Sequence, residues 1–416
     1  MMKIWIFQTG EPLHCDRDDS RPMRAMNLAN FLVQRGHEIT IWSSNFYHQK
    51  KIHRYKETAD IKINENLKIK LINSPGYKKN IGLSRLFDHL ILGLRLNKEL
   101  KKQRELPDIG FIGFPPMEFG FFASKWFKKN KVKFFVDIKD PWPDHLVDAF
   151  PSNIKWLVKL LFFPYYLITK SIFRNADGIS AITEDFLDWS NKISNRKKNK
   201  NDFVFPLVSN TEDQSEEEEK LSSAWAKKII KNDGQLNIFF VGTIGNMFNF
   251  DPILEAAKYC NQNALKINFL ISGDGELKNL IEHEANMLEN IYFTGWINKS
   301  EIKALGNICD LSIAPYINNN TFKNTISNKM IDYLSLGLPI LTSIDGNGAT
   351  YLEQKNVACI YDENDHETLI KKLEELSLDP AKIEKMKDAA LNVYSNEYSY
   401  KRIYEKALRK IVGLKS

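Results

Sequence analysis

Residues 327–341 read SNKMIDYLSLGLPIL. Met330, Ile331 and Leu334 recur at helical spacing and predict one buried stripe. Ser327 or Thr325 can cap the helix, because a hydroxyl accepts an orphan backbone N–H. Gly337 stands where a left-handed residue ends a helix, Pro339 bars its continuation, and the apolar run after it reads as a buried strand. Lys329 and Asp332 are three apart and Asn328 and Asp332 four apart, so all three are expected to project together near the first turn. A helix amino end attracts anions through its free N–H groups and dipole. Lys329 adds a full positive charge there, which suits a phosphate-bearing ligand. Asp332, one turn deeper, can accept hydrogen bonds from a vicinal diol such as a ribose. A solvated Lys–Asp pair worth about 0.3 kcal/mol would produce the same pattern.

Working outward, a strand-and-helix series surrounds this helix. It opens with LNIFFVGTIG, then the helix FDPILEAAKYC, the strand KINFLISGDGE, the helix LKNLIEHEAN, the strand NIYFTGW, the helix SEIKALGNIC and the strand DLSIAPY. A second series occupies the first half. KIWIFQTG is strand-like, RPMRAMNLANFLVQRGHEITIWSS gives a helix, a Gly36 stop and another strand, and DIGFIGF, KFFVDIKD and ADGISAIT follow as strands. Alternating strands and helices in two blocks predict an α/β protein of two doubly wound domains facing one another. The expected bounds are 1–205 and 236–388, with TEDQSEEEEKLSSAWAKKIIKNDG inside an exposed connection, 206–235. Residues 389–416 are expected to be helical.

The chain's 416 residues also favour two cores over one. Lysine and arginine exceed aspartate and glutamate by only 58 to 52, which permits anion binding without arguing for nucleic acid. Cys15, Cys260, Cys309 and Cys359 are scattered, with no CxxC pair, so neither a zinc site nor a disulfide framework is indicated. A reducing cytoplasm is expected, and MMKIWIFQTG reads as strand rather than as a leader.

SNKMIDYLSLGLPILTS closely resembles the nucleotide-binding segment of GT-B glycosyltransferases of family 4, the retaining glycosyl transferases group 1. FFVGTIGNMFNFDPILEAA, FLISGDGELKNLIE and NIYFTGWINKSEIKALGNICDLSIAPY resemble further family segments in the expected order. VDIKDPWPDHL is similar to a stretch of a bacterial subgroup that includes the L-fucosamine transferases of surface-polysaccharide assembly. The resemblance implies a GT-B fold of two Rossmann-like domains across a cleft, the nucleotide held mainly by the second and the acceptor by the first, with the last helix crossing back to the first. It implies a retaining transferase that moves a hexose or N-acetylhexosamine from a nucleotide sugar to a glycan acceptor in capsule, O-antigen or related assembly. A GT-B nucleotide-sugar epimerase and a non-catalytic sugar-nucleotide-binding subunit stay open as alternatives.

Carried residue by residue, the resemblance puts the ribose on Asp332 and the donor sugar near Asn324, which replaces the first of two glutamates common in the family. GTIGNMFNFD has no lysine or arginine where the family often has a basic pair. The diphosphate therefore falls to Lys329, with Ser327, Asn328 and the backbone of Gly242, Thr243 and Gly245; those glycines would equally suit a tight strand-to-helix turn. No cofactor or metal is implied, no Asp-x-Asp motif is present, and the donor, expected to be UDP-linked, is a co-substrate.

In the first half, Asp137 and Asp140 end a strand, where doubly wound sheets place ligand contacts; a turn before Pro141 explains them as well. Asp137 lies near the family's frequent active-site histidine. Gly10, Arg21, Arg24 and Glu118 follow strands and are candidates for the acceptor side, with solvation the plain alternative for either arginine. His14 and His145 can serve as acid–base groups or as ordinary structural histidines.

WLVKLLFFPYYLITKSIF, 156–173, is strongly apolar, carries Lys159 and Lys170, and is broken by Pro164. It barely reaches the length of a spanning helix and carries two lysines, so no spanning helix is expected. Two readings stand: an interfacial segment with lysines at the head groups, or helices packed in the first domain. The first suits a polyprenyl-diphosphate-linked acceptor at the inner face of the plasma membrane.

Overall fold

The computed structural model describes the chain except residues 17–21, 81, 149, 209–215, 230–234, 319–322, 324 and 416. It divides into two compact units, Met1–Ser209 with Ile403–Ser416, and Asn210–Arg402.

The first unit contains strands β1 (Lys3–Phe7), β2 (Glu38–Ser44), β3 (Phe46–Tyr47), β4 (Ile52–His53), β5 (Ala59–Lys62), β6 (Leu67–Ile72), β7 (Ile109–Phe114), β8 (Lys133–Ile138), β9 (Gly178–Ala181) and β10 (Phe203–Val204). Its sheet runs β10-β9-β8-β7-β1-β2-β6-β5. Every pairing is parallel except that of edge strand β5 with β6. β1 is central because four of its five residues are buried, as a strand covered on both faces requires. Its aromatic rings stack into the core: Phe7 lies 5.6 Å from Trp42, and Trp5 lies 5.2 Å from Trp126. Residues 403–416 close this unit, Tyr404 packing between Phe31 and Phe205.

The second unit contains β11 (Leu236–Val241), β12 (Ile267–Ser272), β13 (Ile291–Gly295), β14 (Leu311–Ala314), β15 (Ile340–Thr342) and β16 (Ala358–Ile360). They run β13-β12-β11-β14-β15-β16, all parallel. In chain order this is 3-2-1-4-5-6, the doubly wound dinucleotide-binding order, and β6-β2-β1-β7-β8-β9 repeats it in the first unit. The direction of winding reverses between β11 and β14, and between β1 and β7. Ligands of such sheets settle beyond the carboxyl ends of the strands at that reversal.

The charged segment expected as an exposed connection is instead part of the second unit over its helix Glu216–Ile229. Ala226 is fully buried in that unit's core, and Glu219 pairs with Lys303 at 3.0 Å. Its glutamates are solvated, while one alanine- and tryptophan-bearing face packs inward.

The apolar segment 156–173 forms two helices, Lys155–Leu161 and Phe163–Asn175, bent by 64°. Ile172 and Phe173 are fully buried, but Trp156, Leu157, Leu160, Leu161, Phe163 and Leu167 are exposed. The packed-helix reading thus holds for the buried end of the segment. Among the described residues no single helix is long and apolar enough to cross a membrane.

Candidate functional site

In the second unit the reversal is built by the helix Asn328–Ser335. Ser327 caps it, its Oγ accepting from Met330 N–H at 3.4 Å, and the Ser327 hydroxyl also bonds Tyr316. The buried face comprises Met330, Ile331 and Leu334 with Tyr333, which the sequence pattern missed. Tyr333 sits where β11 and β14 part. Its hydroxyl accepts from Val241 N–H at 3.1 Å and donates to Ile313 O at 3.2 Å, so one side chain holds both strand ends.

Lys329 does not stand out beside Asn328 as expected. Asn328 is exposed, whereas Lys329 folds back over the end of β11. Its Nζ donates to Val241 O at 2.5 Å and lies 3.6 Å from the ring centre of Phe240 and 4.4 Å from that of Phe248. The four-carbon stem reaches the strand-end carbonyl of Val241, and two ring faces complement the charge. Burial pushes its pKa well down, and Asp332 opposes that shift. The cation remains at the carboxyl end of the central strand, but on the inside of the loop that follows it.

That loop is tightly held. Gly242 N–H donates to Ser272 O and Ile244 N–H to Asp274 O, both at 2.9 Å, so these two amides are already committed. Thr243 and Gly245 N–H make no hydrogen bond among the described residues. The expected anion cradle thus shrinks to those two amides. Gly242 has φ +151°, and a Cβ there would lie 2.4 Å from Lys329 Nζ. A Cβ on Gly273, φ +143°, would lie 1.8 Å from Gly242 O. Both glycines are needed because backbone and ammonium crowd against them. Asn324 lies outside the described residues.

In the first unit, Arg24 and Asp137 are not at a surface. Arg24 donates to Asp137 Oδ1 at 3.0 Å and to Phe205 O at 2.5 Å, with side chains 1% and 0% exposed. Ser180 Oγ donates to the same carboxylate at 2.7 Å. This corrects both expectations: the pair is a buried ion pair tying the first helix, Arg24–Val33, to β8 and β9. Glu118 is corrected likewise. It is buried, accepts from Tyr165 O–H at 2.8 Å, and has its pKa raised by burial. His14 bonds Asn30 at 2.7 Å, which gives it a structural role. Arg21 lies outside the described residues.

Gly10 and Asp140 do meet at a cavity of about 200 Å³ beside the β1/β7 reversal. Glu11, His48, Arg85, His89 and Lys139 line it too; none of these five was singled out from the sequence. Glu11 and Lys139 form a buried ion pair, and Glu11 Oε2 also accepts from Ala25 N–H at 2.8 Å. His145 Nδ1 stands 3.8 Å from Asp140 Oδ1 at the more open edge. Burial first, then neighbouring cations, pushes His48 down to about 4; burial, then Arg85 and His48, pushes His89 down to about 3. At neutral pH both imidazoles are uncharged and can donate and accept hydrogen bonds. The signal that could have found them is spacing: Arg85, Asp88, His89 and Leu92 recur at helical intervals.

Residues 222–393 match the family described as glycosyl transferases group 1. No curated protein matches the sequence. Among solved structures, sucrose-phosphate synthase from Thermosynechococcus elongatus superposes with TM-score 0.70 at 12% identity, over 100% of this chain and 99% of that one. WaaG, a glycosyltransferase involved in lipopolysaccharide biosynthesis, gives 0.63 at 14%, over 99% and 100%. Anabaena HepE in complex with UDP-glucose gives 0.62 at 11%, over 99% and 100%. The second unit therefore carries a glycosyl transferases group 1 domain, on a chain whose two Rossmann-like units make the GT-B fold.

Proposed function

We propose that the protein is a retaining glycosyltransferase. It moves a sugar from a nucleotide donor, UDP-linked in our reading, to a lipid-linked glycan acceptor in surface-polysaccharide assembly. The observation that carries this is the second unit's reversal point, where a Ser327-capped helix, the Lys329 ammonium and the Thr243 and Gly245 amides converge beyond β11. Developing charge on a departing diphosphate needs such fixed donors. Asp332 takes the ribose hydroxyls. HepE, of the same fold, is described as binding UDP-glucose.

Acceptor and membrane belong to the first unit in this reading. Trp156, Leu160, Leu161 and Phe163 form an exposed apolar face that starts beside Lys155 and includes Lys159, the composition of a segment lying in a lipid interface. The catalytic test is release of nucleoside diphosphate when nucleotide sugars and a polyprenyl-diphosphate-linked glycan are supplied together. Release that depends on both substrates, with anomeric configuration kept, supports the proposal. Altered donor stereochemistry without acceptor would make the protein an epimerase, and neither change would leave it a binding subunit.

A further inference from the structure

The helix Leu83–Lys101 is inside out over its first half. A surface helix ordinarily turns apolar residues to the core and charge to water. Here Asp88 and His89 are buried and, with Arg85, line the cavity. Leu83, Phe87, Leu90 and Leu94 face outward, at 84%, 56%, 46% and 48% exposure. Over the second half the pattern is ordinary: Leu96 and Leu100 are buried, and Arg95, Lys98 and Lys101 are exposed. The outer face therefore reads as an apolar stripe followed by a basic one, which complements an anionic lipid surface.

The inner face is equally specific. Arg85 makes no salt bridge to a described residue, and its buried Nε has no hydrogen-bond partner. Its NH1 donates to Asn80 O at 2.7 Å, and its guanidinium lies 5.0 Å from the ring centre of Trp142 and 5.6 Å from that of Tyr77. His89, buried, also leaves Nδ1 without a hydrogen bond, Glu118 Oε2 standing 4.0 Å away. Through Glu118 and Tyr165 this cluster is joined to the helix Phe163–Asn175, which carries part of the other exposed apolar surface. Of the carboxylates here, Glu11 is taken by Lys139 and Asp88 accepts from Gly76 N–H at 2.6 Å, leaving Asp140 half exposed. One guanidinium with no carboxylate partner, two imidazoles, of which His48 already bonds Tyr77 through Nδ1 at 2.7 Å, and one half-exposed carboxylate fit a phosphate joined to a sugar.

We propose that this cavity receives the glycosyl-phosphate head group of a membrane-embedded amphiphile. Arg85 meets the phosphate, His48, His89 and Asp140 meet the sugar's hydroxyls, and Leu83, Phe87, Leu90 and Leu94 rest in the lipid that anchors the tail. The inference rests on the lipid-linked-acceptor reading and extends it to a specific site.

The full-length protein is titrated with anionic phospholipid vesicles, with and without polyprenyl diphosphate. Wild type gains about tenfold in apparent affinity when the diphosphate lipid is present. Arg85→Gln loses that gain yet binds plain vesicles as wild type does. Phe87→Ser with Leu90→Ser, at exposed positions that leave the core intact, binds both vesicle types about tenfold more weakly. An undiminished gain in Arg85→Gln overturns the proposal. So does inorganic pyrophosphate binding as tightly as the lipid form, which would make the site one for a free anion. Loss of a dimer in the serine variant, with vesicle binding unchanged, would assign the stripe to a second copy of the chain and overturn it too. If wild type shows no gain while transfer to a water-soluble glycan acceptor proceeds, this inference fails alone. If the gain is intact but no acceptor is ever glycosylated, the transferase reading fails instead.

Discussion

In the proposed reading Lys329 couples the candidate donor site to protons. In the free protein its amine is held well below the usual lysine range by burial, and a diphosphate placed against it would favour the charged form. Binding should therefore take up a proton at pH values between the free and the ligand-bound pKa. Affinity for a nucleoside diphosphate should fall as pH rises through that window. Calorimetric titration in buffers of different ionisation enthalpy reads the uptake directly; heats independent of buffer would remove Lys329 from the phosphate. Lys329→Met, which keeps the packing against Phe240 and Phe248, should weaken binding about 10- to 100-fold, the value of a charge-assisted hydrogen bond of about 1.5–3 kcal/mol. Arg24 belongs to a different class. Arg24→Ala would leave the Asp137 carboxyl buried without its ion-pair partner, costing about 3–5 kcal/mol in denaturant unfolding. Replacing both by apolar residues of similar volume should recover most of that loss. The sequence marked Arg24 and Asp137 as ligand contacts, whereas they form a buried ion pair. It could not show that they meet, because they are 113 positions apart and only the β1–β7–β8 order brings them together.

At the scale of elements, the strand-to-helix alternation made both doubly wound sheets legible, since buried parallel strands are nearly continuous apolar runs. The Ser327 cap and the Gly337 stop were legible for the same local reason: each depends on residues within one turn. The direction of the Lys329 side chain was not, because its partner is a carbonyl on another strand. The helix Leu83–Lys101 escaped because it is apolar on its outer face, against the usual pattern. Two glycines separate local from distant constraint in the second unit. Gly242→Ala should mainly displace the Lys329 ammonium, a movable group, and so weaken nucleotide binding with a smaller loss of stability. Gly273→Ala drives a Cβ into a backbone oxygen at 1.8 Å and should destabilise the unit by about 3 kcal/mol or more. Thermal unfolding and nucleotide titration of the two variants should rank them in opposite orders.

For the whole molecule, net charge and apolar exposure bear on the same question. The chain carries a formal charge of +6, too little for strong nonspecific attraction, so any membrane affinity has to come from local surface. In the proposed reading the first unit supplies it: a large side chain fully withdrawn from water is worth about 1.5–3 kcal/mol, and the face around Trp156 exposes several. Replacing Trp156, Leu160 and Leu161 together by serine removes apolar area without touching the core, since each is at least 65% exposed. Thermal stability should stay within about 0.5 kcal/mol of wild type, while partition to anionic vesicles should fall at least tenfold. Because Lys159 lies within the patch and Lys155, paired with Asp148 at 2.7 Å, adjoins it, wild-type partition should also weaken with added salt, as charges more than about 10 Å apart are screened at 0.1 M. A triple variant that floats with vesicles as wild type does would detach this face from lipid. A salt-insensitive wild type whose partition nonetheless collapses in the triple variant would leave the apolar side chains, and not the lysines, as the membrane anchor.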